Sequence, residues 1–329
     1  MLRSSLLVTA FGALEVLIGV LAREFYLAHP GALGDEPKFT LKELQQFDSL
    51  DDARTAAVAS QVDKVLKGDL AEWEKWFESR LHLPLDSYCI DRSKLEEMFQ
   101  RRHVIVHNDS RVSRLYLRRL SVRAGLPELD QILPVPRPYL EDALEALDVL
   151  GSLLAFNAWR KLFSGEEAEA TEDITRRSYS LMRRGRWAAA RKICQACVDA
   201  PPKAEHREIF RANHWLAEKR LGNLADVRDE IDIWDVSALH PRFAFVRHAL
   251  LDDIDAAISL ADRLLGQGVI DLGSVEDWPV LQELREHPRY PEMIAKHAPV
   301  SDDASGEQPQ ATADSEIPTR GPAPEKHSG

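Results

Sequence analysis

LEEMFQRRHVIVHNDSRVSRLYL, residues 95–117, is the stretch from which the rest of the chain can be ordered. Leu95, Met98, Ile105 and Val112 recur at helical spacing and predict one apolar helix face. His103 and His107, four residues apart, are neighbours on one side of that stripe. Arg102 points well away from His107 around the helix, so a guanidinium and an imidazole flank one shared patch without stacking. From Arg101 to Arg123 the chain holds seven arginines (101, 102, 111, 114, 118, 119 and 123) against one acid, Asp109, although the whole chain carries a formal charge of −12. A cationic patch on an acidic protein points to a polyanion.

On these residues the chain resembles the HEPN superfamily of all-helical domains, many of whose members are metal-independent ribonucleases with an Arg-x4–6-His motif. Arg102 to His107 fits with four residues between, followed by Asn108 and by Tyr116-Leu117 on a helix. Asn is the common family residue where this chain has His103, and no tyrosine stands two residues after His107. That absence argues against a nucleotidyl acceptor. The resemblance covers about Met1 to Phe163. It implies catalysis by Arg102 and His107 in a cleft between two protomers, supported by His103, Arg101, Asn108, Tyr116 and an acid of the first helix, Glu15. Histidine suits proton transfer near neutral pH, and arginine suits a dianionic phosphorane. The implied products are a 2′,3′-cyclic phosphate and a 5′-hydroxyl, without metal or cofactor. The implied partners are RNA and a second copy of the chain, in a toxin or anti-phage setting. The other reading is a non-catalytic dimeric adaptor, whose Arg102 and His107 only bond across a seam.

Outward from the motif, the pattern is helical throughout, and the fold class is all-α. Residues 1–163 form a helical bundle, 172–298 a series of α-hairpin repeats, and 299–329 a disordered tail. Ser5 to Ala22 is apolar enough to resemble a membrane span. Glu15 near its centre, diluted by Thr9, Gly12 and Gly19, favours a buried first helix over a signal anchor, so no membrane partner is expected. Turn chemistry from His29 to Pro37 ends that helix. Helices follow near Leu41–Phe47, Leu50–Leu66 and Leu70–Arg80. Trp73, Trp76 and Phe77 share one face, which core packing explains better than base stacking. Pro127, Pro134, Pro136 and Pro138 mark a long connection. Leu140–Phe163 is a periodic helix with Leu144, Leu147, Leu150, Leu154 and Trp159 on its seam.

The small, acidic run Ser164–Ala170 is the expected domain boundary. Beyond it, Ser178-Tyr179-x-Leu181-x-x-Arg184-Gly185-x-Trp187 up to Pro201 looks like a tetratricopeptide-type unit. A second unit surrounds Gly222 and ends at Pro241, and a third runs from Ala249 to Leu265. Such repeats hold a peptide, a protein (an antitoxin among them), or the rest of their own chain. Cys194 and Cys197 form a CxxC within a helix, with no second pair to complete a zinc site, and read as core residues. The chain has three cysteines in all, with Cys89, and no even disulfide framework, which predicts a reducing cytoplasm. The tail from Ser301 is rich in Ser, Ala and acids, carries Pro309, Pro318, Pro322 and Pro324, and has no apolar period.

Overall fold

The structure is a computed structural model that describes residues 2–34, 38–88, 91–120, 125–198 and 203–298. Cys89, Arg123, Pro201 and the tail 299–329 lie outside these. The fold is all-α: sixteen α-helices and no strand among the described residues. They are α1 (Leu2–Ala28), α2 (Leu41–Leu44), α3 (Leu50–Leu66), α4 (Leu70–Leu81), α5 (Arg92–His107), α6 (Arg114–Arg119), α7 (Arg137–Leu162), α8 (Glu167–Arg183), α9 (Trp187–Cys197), α10 (Ala204–Arg220), α11 (Leu224–Asp232), α12 (Arg242–Leu250), α13 (Ile254–Gly266), α14 (Leu272–Asp277), α15 (Gln282–Arg285) and α16 (Tyr290–His297).

Local sequence explains where the early helices begin. Ser49 caps α3 by accepting from the Asp52 amide, with Asp51 and Asp52 in the first turn where carboxylates favour the helix dipole. Asp69 and Glu72 make a reciprocal capping box at the start of α4. Asp91 accepts from the amides of Ser93 and Lys94 to start α5. Ser113 accepts from the Tyr116 amide to start α6. Both α3 and the aromatic face of α4 match the sequence expectation: Trp73 and Phe77 are buried, and the Trp76 indole donates to the Tyr26 hydroxyl.

Helix α1 lies in the bundle on one side only. Leu7, Phe11, Leu14, Ile18, Leu21, Ala22 and Phe25 are buried against α3, α5 and α7. The opposite face is exposed, so the expectation of a buried first helix holds for half its circumference. By length and composition α1 could also cross a membrane.

The expected boundary near residues 164–170 is a tight turn rather than a linker. Gly165 takes the left-handed conformation (φ 94°), and α8 begins at Glu167. Ala170 and Ile174 are already buried there, because α8 and α9 pack directly on α7. One continuous apolar core therefore runs from Leu7 to Met293. The hairpins α8–α9, α10–α11 and α12–α13 follow in sequence. Gly185 (φ 68°) and Gly222 (φ 87°) turn the first two, as expected, while Asp252 (φ 60°) turns the third. Cys194 and Cys197 are fully buried in α9. Burial raises both thiols, Cys194 to about 12, so neither is a thiolate at neutral pH.

Candidate functional site

Helix α5 carries the motif and ends on it. Its buried face is Leu95, Glu97, Met98 and Val104. The predicted stripe differs in two places: Ile105 is only partly buried, and Val112, though fully buried, lies beyond the helix. The helix stops because Asp109 (φ 48°) and Ser110 (φ 60°) turn left-handed after His107. The Asn108 side-chain amide donates to the Arg111 carbonyl at 2.7 Å and braces that turn. Val112 is then held by backbone hydrogen bonds, donating to Gln131 and accepting from Asp130, at 2.9 and 3.0 Å. This returns the chain to α6 over a small separate core of Val104, Val112, Tyr116, Leu120 and Leu133.

Behind the motif is a buried carboxylate that the sequence did not single out. Glu97 accepts from Arg101 Nε at 2.7 Å, from the Tyr116 hydroxyl at 2.8 Å and from the Tyr139 hydroxyl at 2.8 Å. Arg101 also stacks over the Tyr139 ring, its guanidinium carbon 4.1 Å from the centroid. Burial pushes both tyrosine hydroxyls up, and the Glu97 charge adds to it. Burial opposes the Arg101 charge, but Glu97 outweighs it and raises that pKa. Arg101 and Tyr116 were expected to support the site or touch RNA. Both bond to Glu97 inside the protein, and Tyr116 is 2% exposed, so the support they give is to fix α5 against α6 and α7.

Arg102 and His103 open on the other side, into a cavity of about 320 Å³ between α1, α4, α5 and α6. The Arg102 guanidinium donates to Glu15 Oε1 at 2.7 Å across from α1, and its buried Nε has no partner. Lys67, Asp69, Gln100 and Arg119 also line the cavity. Asp69 accepts from Arg119 at 2.8 Å. Lys67, Asp69 and Gln100 escaped the sequence reading because a loop and a polar helix face carry no periodic signal; only the predicted proximity of α3, α4 and α5 could have pointed to them.

His107 is exposed on the last turn of α5 and does not line that cavity. It is reached through His103, whose ring packs against it with centroids 4.8 Å apart and planes tilted by 48°. The pKa of His103 is lowered, first by desolvation and then by the nearby charges of His107 and Arg102. It is therefore neutral at neutral pH. The arginines of the basic segment divide by helix. Those on α5 are engaged with Glu97 and Glu15, whereas Arg111, Arg114, Arg118 and Arg119 on and before α6 are exposed. Arg111 donates to the Asp130 carbonyl at 3.2 Å.

Comparisons with protein-family models, curated proteins and solved structures return no match for this chain.

Proposed function

We propose that this chain is a metal-independent endoribonuclease of the HEPN kind, acting as a dimer. The observation that carries the proposal is the Glu15–Arg102 pair, with its buried and unpartnered Arg102 Nε, on the same helix as the packed His103–His107 pair and next to the exposed arginines of α6. Arg102 would take a phosphate oxygen, and Arg114 and Arg118 would hold the flanking backbone. His107 would take the 2′-hydroxyl proton as that oxygen attacks phosphorus. The 5′-oxygen leaves with a proton from a second imidazole, giving a 2′,3′-cyclic phosphate and a 5′-hydroxyl.

That second imidazole cannot be His103 of the same copy. An acid and a base flanking phosphorus each need hydrogen-bond reach of about 3 Å on opposite sides. Rings in contact at 4.8 Å leave no room for a phosphate between them. Acid and base are then the His107 residues of two copies, each positioned by its His103.

Purified protein should cleave single-stranded RNA in EDTA, leaving cyclic-phosphate ends. His107→Ala should lower cleavage by about 10²–10⁴-fold, and Arg102→Lys should also weaken it, while the protein stays folded. Activity unaffected by His107→Ala would overturn the assignment.

A second reading has its own observation. Tyr179, Asn213, Phe243, Val246 and Trp278 line a groove of about 350 Å³ on the hairpin stack, with Arg176 and Arg242 at its edges. It suits an extended, largely apolar peptide, as a partner-binding adaptor would require. Retained peptide capture with no RNA cleavage by the wild type would favour it.

A further inference from the structure

The face of α1 that the bundle leaves open is not a random scatter of apolar residues. Leu2, Leu6, Thr9, Ala13, Val16, Val20, Arg23 and Leu27 are all exposed. Their steps alternate four and three along 27 residues of helix, which is the heptad period of a helix–helix seam. Val16 and Leu2 are 68% and 75% exposed, far more than isolated surface contacts require. Thr9 donates its hydroxyl to the Ser5 carbonyl at 2.9 Å, so burying it leaves no unsatisfied group.

We infer that this seam pairs antiparallel with the α1 seam of a second copy, about a two-fold axis passing between Leu14 and Glu15. Two features select a second copy over any other occupant. The first is register. Reversing the helix about that point sets Leu2 opposite the partner's Leu27, Leu6 opposite the partner's Arg23, Thr9 opposite the partner's Val20, and Ala13 opposite the partner's Val16. Every seam position meets a seam position, with the small Ala13 at the centre where backbones approach. The second is charge. Arg3 and Glu24 occupy equivalent flanking positions of the heptad, and the antiparallel pairing brings each beside the other's counterpart, twice by symmetry. Among the described residues neither has an ion-pair partner.

The seam is about 40 Å long at ~1.5 Å per residue and about 10 Å wide. Pairing it covers on the order of 800 Å² in total, the size of a transient interface. A lipid surface fits less well: the chain is strongly acidic, and a membrane-lying helix relies on Lys and Arg beside its apolar face.

The pairing bears on the site. Glu15 lies within one residue of the axis, on the Gly12–Gly19 flank of the seam, and a two-fold keeps both copies of that flank on one side of the helix pair. The two Glu15–Arg102 pairs would then face a common cleft. This rests on and deepens the composite-cleft proposal; a dimer that cleaves RNA yet is indifferent to Val16→Glu sinks the seam alone, and a seam dimer that cleaves no RNA sinks the nuclease alone.

Sedimentation equilibrium of the full chain should show a monomer–dimer equilibrium. Val16→Glu, exposed in the monomer and harmless to its folding, should weaken it by roughly tenfold or more. Arg3→Glu and Glu24→Arg should each weaken it, and the double variant should recover it, as only the antiparallel register allows. Ala13→Cys with Val16→Cys should cross-link two copies under mild oxidation. A wild type monomeric at tens of micromolar, or a dimer indifferent to Val16→Glu, would overturn the inference. So would co-sedimentation with phosphatidylcholine–phosphatidylglycerol vesicles lost in Val16→Glu, because α1 would then dock on lipid.

Discussion

The motif region and the hairpin stack are built from the same element and held together differently. Around α5 a charged group, Glu97, is the hub: two tyrosines and an arginine from α5, α6 and α7 converge on one carboxylate. In the stack the hubs are apolar, such as Phe210, Ile231 and Phe245, each fully buried. Its ion pairs, such as Lys219–Asp252 and Arg242–Glu205, each keep an exposed carboxylate. A buried charge tolerates one geometry, whereas an apolar core tolerates several. The first arrangement suits residues that must be held at fixed angles, the second a scaffold.

The largest expected effect concerns the imidazole that Glu97 holds in place only indirectly. His107→Ala should lower RNA cleavage by about 10²–10⁴-fold, the range for a lost acid–base group, with helicity by circular dichroism unchanged. Next come the two hubs. Glu97→Ala strands Arg101 in the protein and should cost about 3–5 kcal/mol in urea denaturation. Phe210→Ala should cost a similar ~3–5 kcal/mol. Their conservative variants separate the two regions: Phe210→Leu should restore most of the loss, while Glu97→Gln should restore little, since it accepts fewer bonds and carries no charge for Arg101. Equal recovery in both would erase the contrast.

A smaller effect is expected from pH. His103 has a lowered pKa, so between that value and the ordinary 6.5 the unfolded chain binds the proton more readily. Stability should rise with pH through this window, fall on acidification through it, and level off below it, where His103 is protonated in both states. His103→Asn should flatten that slope in thermal melts at pH 5.5 and 7.5. Smallest of all, ending the chain at Val300 should leave the melting temperature and any cleavage unchanged, because residues 301–329 contain no apolar period.

Much of this fold was legible from local rules. The bounds of α3 follow from Ser49 and its apolar spacing, and the hairpin turns from Gly185 and Gly222. Where the readings failed, the cause was tertiary. The Asn108-Asp109-Ser110 cluster offers a turn before Val112, but nothing local says that Val112 then pairs with residues 130–131. Arg101 and Arg102 are adjacent and chemically identical, yet one pairs with Glu97 one turn back on α5, a local signal, and the other reaches across to Glu15, which only the packing of α1 decides. Asp252 as the third turn residue was equally hidden, since the left-handed conformation is a glycine signal only by preference.

Helix α7 carries a consequence for how such a chain can change over generations. It packs on α1 on one side and on α8 and α9 on the other, so both halves share a single wall. The turn at Ser164-Gly165 looks like the natural place to recombine this sequence with another. A fragment ending at Phe163 would nonetheless leave the side of α7 beneath α8 and α9 uncovered, and the remainder would lose its floor. The halves are therefore inherited together or not at all, unless an incoming segment brings a helix pair that fits α7.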